Sequence, residues 1–445
     1  MKPKYERPII VRHSLAGMNK FGVSTAIRPI TTIDGVRISD LVESYGSPLF
    51  VFSERSLRER VRELRAQLSR RLPNFDLAWS YKTNYLAAVC KVFHQEGSLA
   101  EVVSGMEMKM ALRAGVAGNQ IIFNGPYKTD ADLALAFEKQ VRVHLDHLDD
   151  LAAAERVADR MGVVAEVGMR VNMSELPVPT WDRFGFNLES GRAIEAARRI
   201  IRGGRLDLRT LHCHIGTFIA NPEAYRMAAR ALATFSLTLE RETGTRIDTL
   251  DLGGGFASHN TLYSQYLPGD EATPALGEFV EAIATGLEEG MSGAEPPRLV
   301  LETGRALVDD AGWLIATVVG NKRLVDKRRA VILDAGVNIL PTAWWYKHDI
   351  HPAQDVFGSA EPTVFFGPLC MNIDVIRDQI LFQPLHTGDR VVIRHVGAYN
   401  VTQWMQFISE RPNVVMVSSK GGHGLIRKAE TVDTLAQQEL VPDWL

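Results

Sequence analysis

At 445 residues, with 46% hydrophobic and 23% charged residues, the chain is a folded protein too long for one ordinary core, and two domains are expected. A formal net charge of -3 argues against a nucleic-acid or anionic-membrane surface as the main partner. Cys90, Cys213 and Cys370 are widely spaced and odd in number, which suits a reducing compartment and disfavours both a disulfide framework and a zinc knuckle.

Residues 1–45 carry turn signals and short strands. The stretch Met1 to Val11, broken by charges and two prolines, lacks the apolar core of a signal peptide. No apolar run reaches the roughly 20 residues of a membrane-spanning helix, so a cytoplasmic protein is expected. From Pro48 the texture changes. Leu49 to Phe52 reads as a short strand, Ser53 as a helix cap, and Leu57, Val61, Leu64 and Leu68 recur at helical spacing.

A regular alternation comes next. Strands are predicted at 75–81, 98–103, 120–124, 141–145, 163–171, 206–213, 247–252 and 298–302. Each precedes a helical pattern, at 85–96, 105–114, 129–139, 147–161, 189–202, 221–242, 274–289 and 304–310. Eight strand-helix units with mostly apolar strands match an α/β fold, a parallel (β/α)8 TIM-like barrel. A doubly wound open sheet accounts for eight units less economically, because closure removes both edges. Beyond about Asp310, short β-rich segments such as Trp313 to Gly320, Ala330 to Asp334, Thr363 to Phe366 and Asp389 to Val396 read as a mainly antiparallel β domain. The expected division is 46–310 for the barrel and 311–445 for the β domain, with 1–45 joining the latter.

In such a barrel, groups at the C-terminal ends of the strands converge on one site. The first predicted strand ends at Lys82, the second at Glu101 to Ser104, the fifth at Arg170, the sixth at His214, the seventh at Gly253, Gly254 and Gly255, and the eighth at Glu302 with Arg305 just beyond. Taken alone, Lys82 reads equally as a loop lysine or as a partly desolvated amine, lowered in pKa, that forms a Schiff base with a carbonyl compound. Three glycines beside Arg305 suit a phosphate, and Thr217 can add a hydroxyl. His214 at a strand end can stack on a flat ring, while His212 is either structural or faces the barrel with it. Glu302 can hold a pyridine nitrogen protonated, or it can pair with Arg305 three residues on.

Together these stretches resemble the fold-type III pyridoxal phosphate (PLP) decarboxylases, the group containing diaminopimelate, ornithine and arginine decarboxylases. The likeness runs in order through Tyr45 to Val51, Tyr81-Lys82-Thr83-Asn84, Val103 to Glu107, His212 to Thr217, Gly253 to Phe256, Glu302-Thr303-Gly304-Arg305, Asp334-Ala335-Gly336, Gly367-Pro368-Leu369-Cys370 and Gly397-Ala398-Tyr399. It implies pyridoxal 5'-phosphate held as an aldimine on Lys82, His214 stacked on the ring and Glu302 on its nitrogen. Gly253 to Gly255, Arg305, Thr217 and Tyr399 would hold the phosphate. It also implies a homodimer with shared sites, in which Cys370 reaches the partner's site and protonates the substrate carbanion. No metal, nucleic acid or membrane is expected.

The departures bear on substrate. Diaminopimelate enzymes of this family carry a glutamate after the cysteine, where Met371 stands here, and an arginine after the Asp-Ala-Gly stretch, where Thr342 falls. A charge left without its partner costs several kcal/mol. With Trp344, Trp345, Trp404 and Phe407 nearby in sequence, the expectation is a modified or conjugated amino acid, as in siderophore-type biosynthesis or on a carrier protein. Arg170, Asp334, Tyr346 and Met371 are the expected substrate contacts. The same tryptophans read equally as β-domain core. The alternatives are a diaminopimelate or other basic amino-acid decarboxylase, an amino-acid racemase (against which Glu302 argues), and a non-catalytic PLP-binding relative.

Overall fold

The computed structural model describes residues 27–445. The reading of Met1 to Val11 as lacking a signal-peptide core lies outside the described residues. Eight parallel strands close a barrel. Phe75–Ser80 pairs with Leu99–Val102, and the pairing continues through Ile121–Phe123, Arg142–Leu145 and Ala165–Asn172. It then passes through Leu206–Cys213, Thr249–Asp251 and Arg298–Leu301, and the last returns to Phe75–Ser80. No edge is left in this ring, which rules out the open sheet.

The helices between the strands start where local chemistry lets them. Ser104 accepts from the Glu107 N–H, Thr129 and Asp132 form a capping box, and Asn221 caps a helix whose next residue is Pro222. Their apolar faces pack on the strands. Leu57, Val61, Leu64 and Leu68, for instance, are all buried along Glu54–Arg71.

The second sheet is built on the long strand Gly312–Arg323, which pairs antiparallel with Leu49–Ser53, Arg329–Leu333 and Arg390–Arg394. Asn413–Val417 pairs parallel with Leu49–Ser53 and antiparallel with His423–Arg427. The barrel segment was expected from residue 46, yet Leu49–Ser53 lies in this second sheet, buried at every position. The chain therefore begins the β layer, leaves it for the barrel and returns to complete it. Ile33, Ile38, Leu41 and Val42 form one apolar cluster with Leu49, Val51, Ile315, Val392, Val415 and Val417, so the residues just before Leu49 pack on the same sheet. Among the described residues, no helix is long and apolar enough to cross a membrane.

Candidate active site

A cleft of about 620 Å3 opens at the C-terminal end of the barrel strands, walled on one side by Trp345, Tyr346, Tyr399 and Gln403 of the β domain. Lys82 follows Phe75–Ser80 in a single turn of 3-10 helix, Tyr81–Thr83, and its side chain is 34% exposed, into the cleft. Its Nζ donates to Glu101 Oε2 at 2.6 Å and to Ser80 Oγ at 2.8 Å. Glu101 Oε1 accepts from Asn124 Nδ2 at 3.0 Å, and the same Nδ2 donates to Glu302 Oε1 at 2.6 Å. One amide thus ties together the carboxylates of two strands on opposite sides of the lysine strand.

The expected lowering of the Lys82 pKa is not what the structure gives. Burial acts in that direction, but the Glu101 carboxylate, helped by Tyr399 and Glu302, outweighs it and holds the amine above the ordinary lysine range. The sequence shows a lysine at a strand end; the acid beside it stands on the neighbouring strand.

His212 and His214 lie on the same strand face and both line the cleft. The Gly254 N–H donates to His214 Nδ1 at 3.0 Å, which requires that nitrogen to be unprotonated. Burial agrees, pushing the imidazole well below its usual value, with Arg170 and Lys82 adding to the effect. Trp181 packs near the His214 ring, with centroids 5.6 Å apart. The glycine turn needs its composition. Gly253 has φ +64°, and a Cβ on Gly254 would stand 2.3 Å from the Glu302 carbonyl oxygen.

Arg305 does not pair with Glu302. Its guanidinium donates to the Tyr346 hydroxyl and, at 3.4 Å, to Thr217 Oγ1, and it lies 4.7 Å from the centre of the Tyr399 ring. The residue is 7% exposed, and among the described residues it makes no ion pair with a carboxylate. A buried guanidinium beside a glycine turn, with no carboxylate in close ion-pair contact among the described residues, is a seat for an anion.

The structure brings Lys82, Arg170, His214, Thr217, Glu302, Arg305, Tyr346 and Tyr399 to the cleft, with Gly253, Gly254 and Gly255 at its strand end. Arg170 faces Asp146 at 3.8 Å and lies over the Phe184 ring. Asp334, expected at the substrate, is elsewhere: its carboxylate accepts from Ser47 Oγ at 2.6 Å and from the Thr317 N–H at 2.8 Å. It follows a β-domain strand and does not line the cleft of its own chain. Cys370 is exposed, and neither it nor Met371 lines the cleft of its own chain. Of the tryptophans, Trp345 lines the cleft, Trp344 is on the surface, and Trp404 is buried with its Nε1 donating to the Ile339 carbonyl. Thr342 is buried between His348 and Asn400. Sequence reading gave no part to Asn124, Trp181 or Phe184. Asn124 ends a predicted strand, which was the signal that could have found it; the two aromatics come after the fifth strand in a loop with no pattern.

These features fit a phosphorylated aldehyde carrying a basic ring nitrogen, with an amine for the aldehyde, an unpaired buried cation for the phosphate and a buried carboxylate for the ring. The family model for the pyridoxal-dependent decarboxylase, pyridoxal binding domain, matches residues 55–309. The chain belongs to that family and is a PLP-dependent amino-acid decarboxylase, a carboxy-lyase. It is similar to the diaminopimelate decarboxylase of Methanocaldococcus jannaschii, 29% identical over 93% of this chain and 95% of that protein. It is also similar to the diaminopimelate decarboxylase of Bacillus subtilis, 28% identical over 92% and 94%. A crystal structure of the M. jannaschii enzyme in co-complex with L-lysine superposes with a TM-score of 0.84, at 27% identity, covering 95% of this chain and 99% of that one.

Proposed function

We propose that this chain removes the α-carboxylate of a free amino acid of the diaminopimelate class. The observation that carries the chemistry is the meeting, in one cleft, of the Lys82 amine, the buried Glu302 carboxylate and the buried Arg305 guanidinium, which makes no close ion pair among the described residues. The substrate class is supported by the relatives named diaminopimelate decarboxylases, which match more than nine-tenths of the chain.

When bound, PLP supplies a sink for the electron pair left as carbon dioxide departs. The chain's own groups then have separable tasks. Lys82 would anchor the cofactor, and the Glu101 carboxylate, which also accepts from the Ser80 hydroxyl, receives the proton that the ammonium must lose before the amine can react. Glu302, oriented by Asn124, would hold the ring nitrogen protonated. His214, neutral and fixed by the Gly254 N–H, would stack on the cofactor ring. Arg305, Thr217, Tyr399 and the turn Gly253 to Gly255 hold the phosphate, and Arg170 and Tyr346 border the substrate. Cys370, exposed on its own chain, is offered to the cleft of a second copy, where it returns a proton to the substrate Cα; this makes the enzyme a homodimer with shared sites.

A second reading, a modified or conjugated amino acid, is favoured by the residues that differ from the diaminopimelate pattern. Thr342 is engaged with His348 and Asn400, Met371 is apolar, and Trp345, Trp181, Phe184 and Phe218 line the cleft. Carbon dioxide release across diaminopimelate, lysine, ornithine, arginine and amide- or carrier-linked amino acids tests both. The highest kcat/KM with diaminopimelate supports the first reading. Turnover confined to conjugated substrates overturns it in favour of the second.

A further inference from the structure

Around Glu302 the barrel encloses polar groups that the roles above leave unused. His144, His212, Asp251 and Glu302 are all buried, and one nitrogen or carboxylate oxygen from each lies within 4.8 Å of the others. His212 Nε2 is 3.5 Å from Glu302 Oε2. Asp251 Oδ1 accepts the Gly253 N–H at 2.9 Å; among the described residues Asp251 Oδ2 has no hydrogen-bond donor, and the ring nitrogens of His144 and His212 have no hydrogen-bond partners. Glu302 lines the cleft; Asp251 does not.

Two buried carboxylates this close oppose each other's ionisation, because each raises the cost of charging the other. Glu302 opens onto the cleft, where a protonated ring nitrogen can balance its charge. Asp251 has no such partner. Burial first, then the charges of Glu302 and Glu101, push its carboxyl well above the usual range. The two imidazoles supply no balancing charge, since burial pushes both well below their usual values. A proton on Asp251 also removes the anomaly of Oδ2, which becomes a donor instead of an acceptor lacking one.

We propose that Asp251 is a positioning residue for Glu302: a neutral carboxylic acid that donates its Oδ2 proton to the Glu302 carboxylate while its Oδ1 holds the Gly253 N–H. One side chain then braces both the acid that faces the ring nitrogen and the glycine turn that faces the phosphate. Glu302 loses its freedom to rotate. The inference rests on the reading of Glu302 as the ring-nitrogen partner.

Equilibrium binding of PLP to the apoprotein and the visible absorbance of the holoenzyme test it. Asp251→Asn keeps an acceptor for Gly253 and a donor toward Glu302, so its affinity stays within about threefold of the native protein and its spectrum is unchanged. Asp251→Val keeps bulk but neither polar contact; affinity falls roughly 10- to 100-fold, with a shifted band. Glu302→Gln serves as the control, because a spectrum unmoved by that change defeats the ring-nitrogen reading itself. With that control shifted, an Asn variant as impaired as the Val variant, or a Val variant that behaves as native, overturns the proposal. Should Asp251→Val not fold, the Asn variant decides alone: native affinity and spectrum support the neutral acid, and their loss refutes it.

Discussion

Glu101→Gln is the sharpest probe of how Lys82 is set. Nζ lies 2.6 Å from Glu101 Oε2, and a hydrogen bond to an ionised group is worth about 1.5–3 kcal/mol. Because the lysine side chain is 34% exposed, solvent screening places the contribution near the lower end. About 1.4 kcal/mol corresponds to one pH unit. Only the unprotonated amine captures an aldehyde, so the rate at which apoprotein takes up PLP should rise with pH about a midpoint above the ordinary lysine value, and Gln should bring that midpoint down by roughly one unit. The linkage has a definite sign. A raised amine stabilises the fold fully below the unfolded value of 10.5 and loses that contribution as pH rises through the folded value. Glu101→Gln is therefore less stable than the native chain at neutral pH, and the gap closes only in strong alkali. An unchanged or higher midpoint would refute the claim that Glu101 dominates the lysine's environment.

Arg305→Ala should weaken PLP binding by about 2 kcal/mol or more, some thirtyfold, measured by equilibrium dialysis. Gly254→Ala places a Cβ 2.3 Å from the Glu302 carbonyl, and the forced backbone shift should cost about 1–3 kcal/mol, read as a lower Tm together with poor cofactor retention. Asp310 joins His259 at 2.6 Å and His395 at 2.7 Å, linking the barrel to the β domain. Burial acts to raise its carboxyl, but the two histidines outweigh this and hold it well below the usual range, while Asp310 in turn raises His259. The aspartate's contribution is lost as pH falls below its unfolded value of 3.8, and the histidine's as pH rises past 6.5. The Tm deficit of Asp310→Asn should be widest between those values; a deficit that grows above pH 7 would contradict this.

The barrel and its chemical end were legible because parallel barrel strands are short apolar runs, and the residues just past each strand's C-terminus face the site. Lys82, His214, Glu302 and Arg305 were found that way. The hidden part depends on neighbours across the ring. Glu101 stands at a predicted strand end, yet its grip on Lys82 appears only once the first and second strands are side by side. The pairing of Asp251 with Glu302 likewise needs the seventh and eighth. Leu49–Ser53 was readable as a strand, but a local pattern does not say which sheet takes it, and its partners lie far along the chain. The partners of Asp334 were hidden for the same reason, since Ser47 and Thr317, which hold its carboxylate, belong to segments distant in sequence.

Decarboxylation anchored on Lys82 is decided by counting carbon dioxide released per molecule of carboxyl-labelled diaminopimelate consumed, with the native chain and with Lys82→Ala. One carbon dioxide for each substrate molecule is expected from the native chain, and none from a folded Lys82→Ala variant that has also lost its visible absorbance. Loss of optical activity without carbon dioxide would make the enzyme a racemase, and turnover that survives in the variant would remove Lys82 from the chemistry.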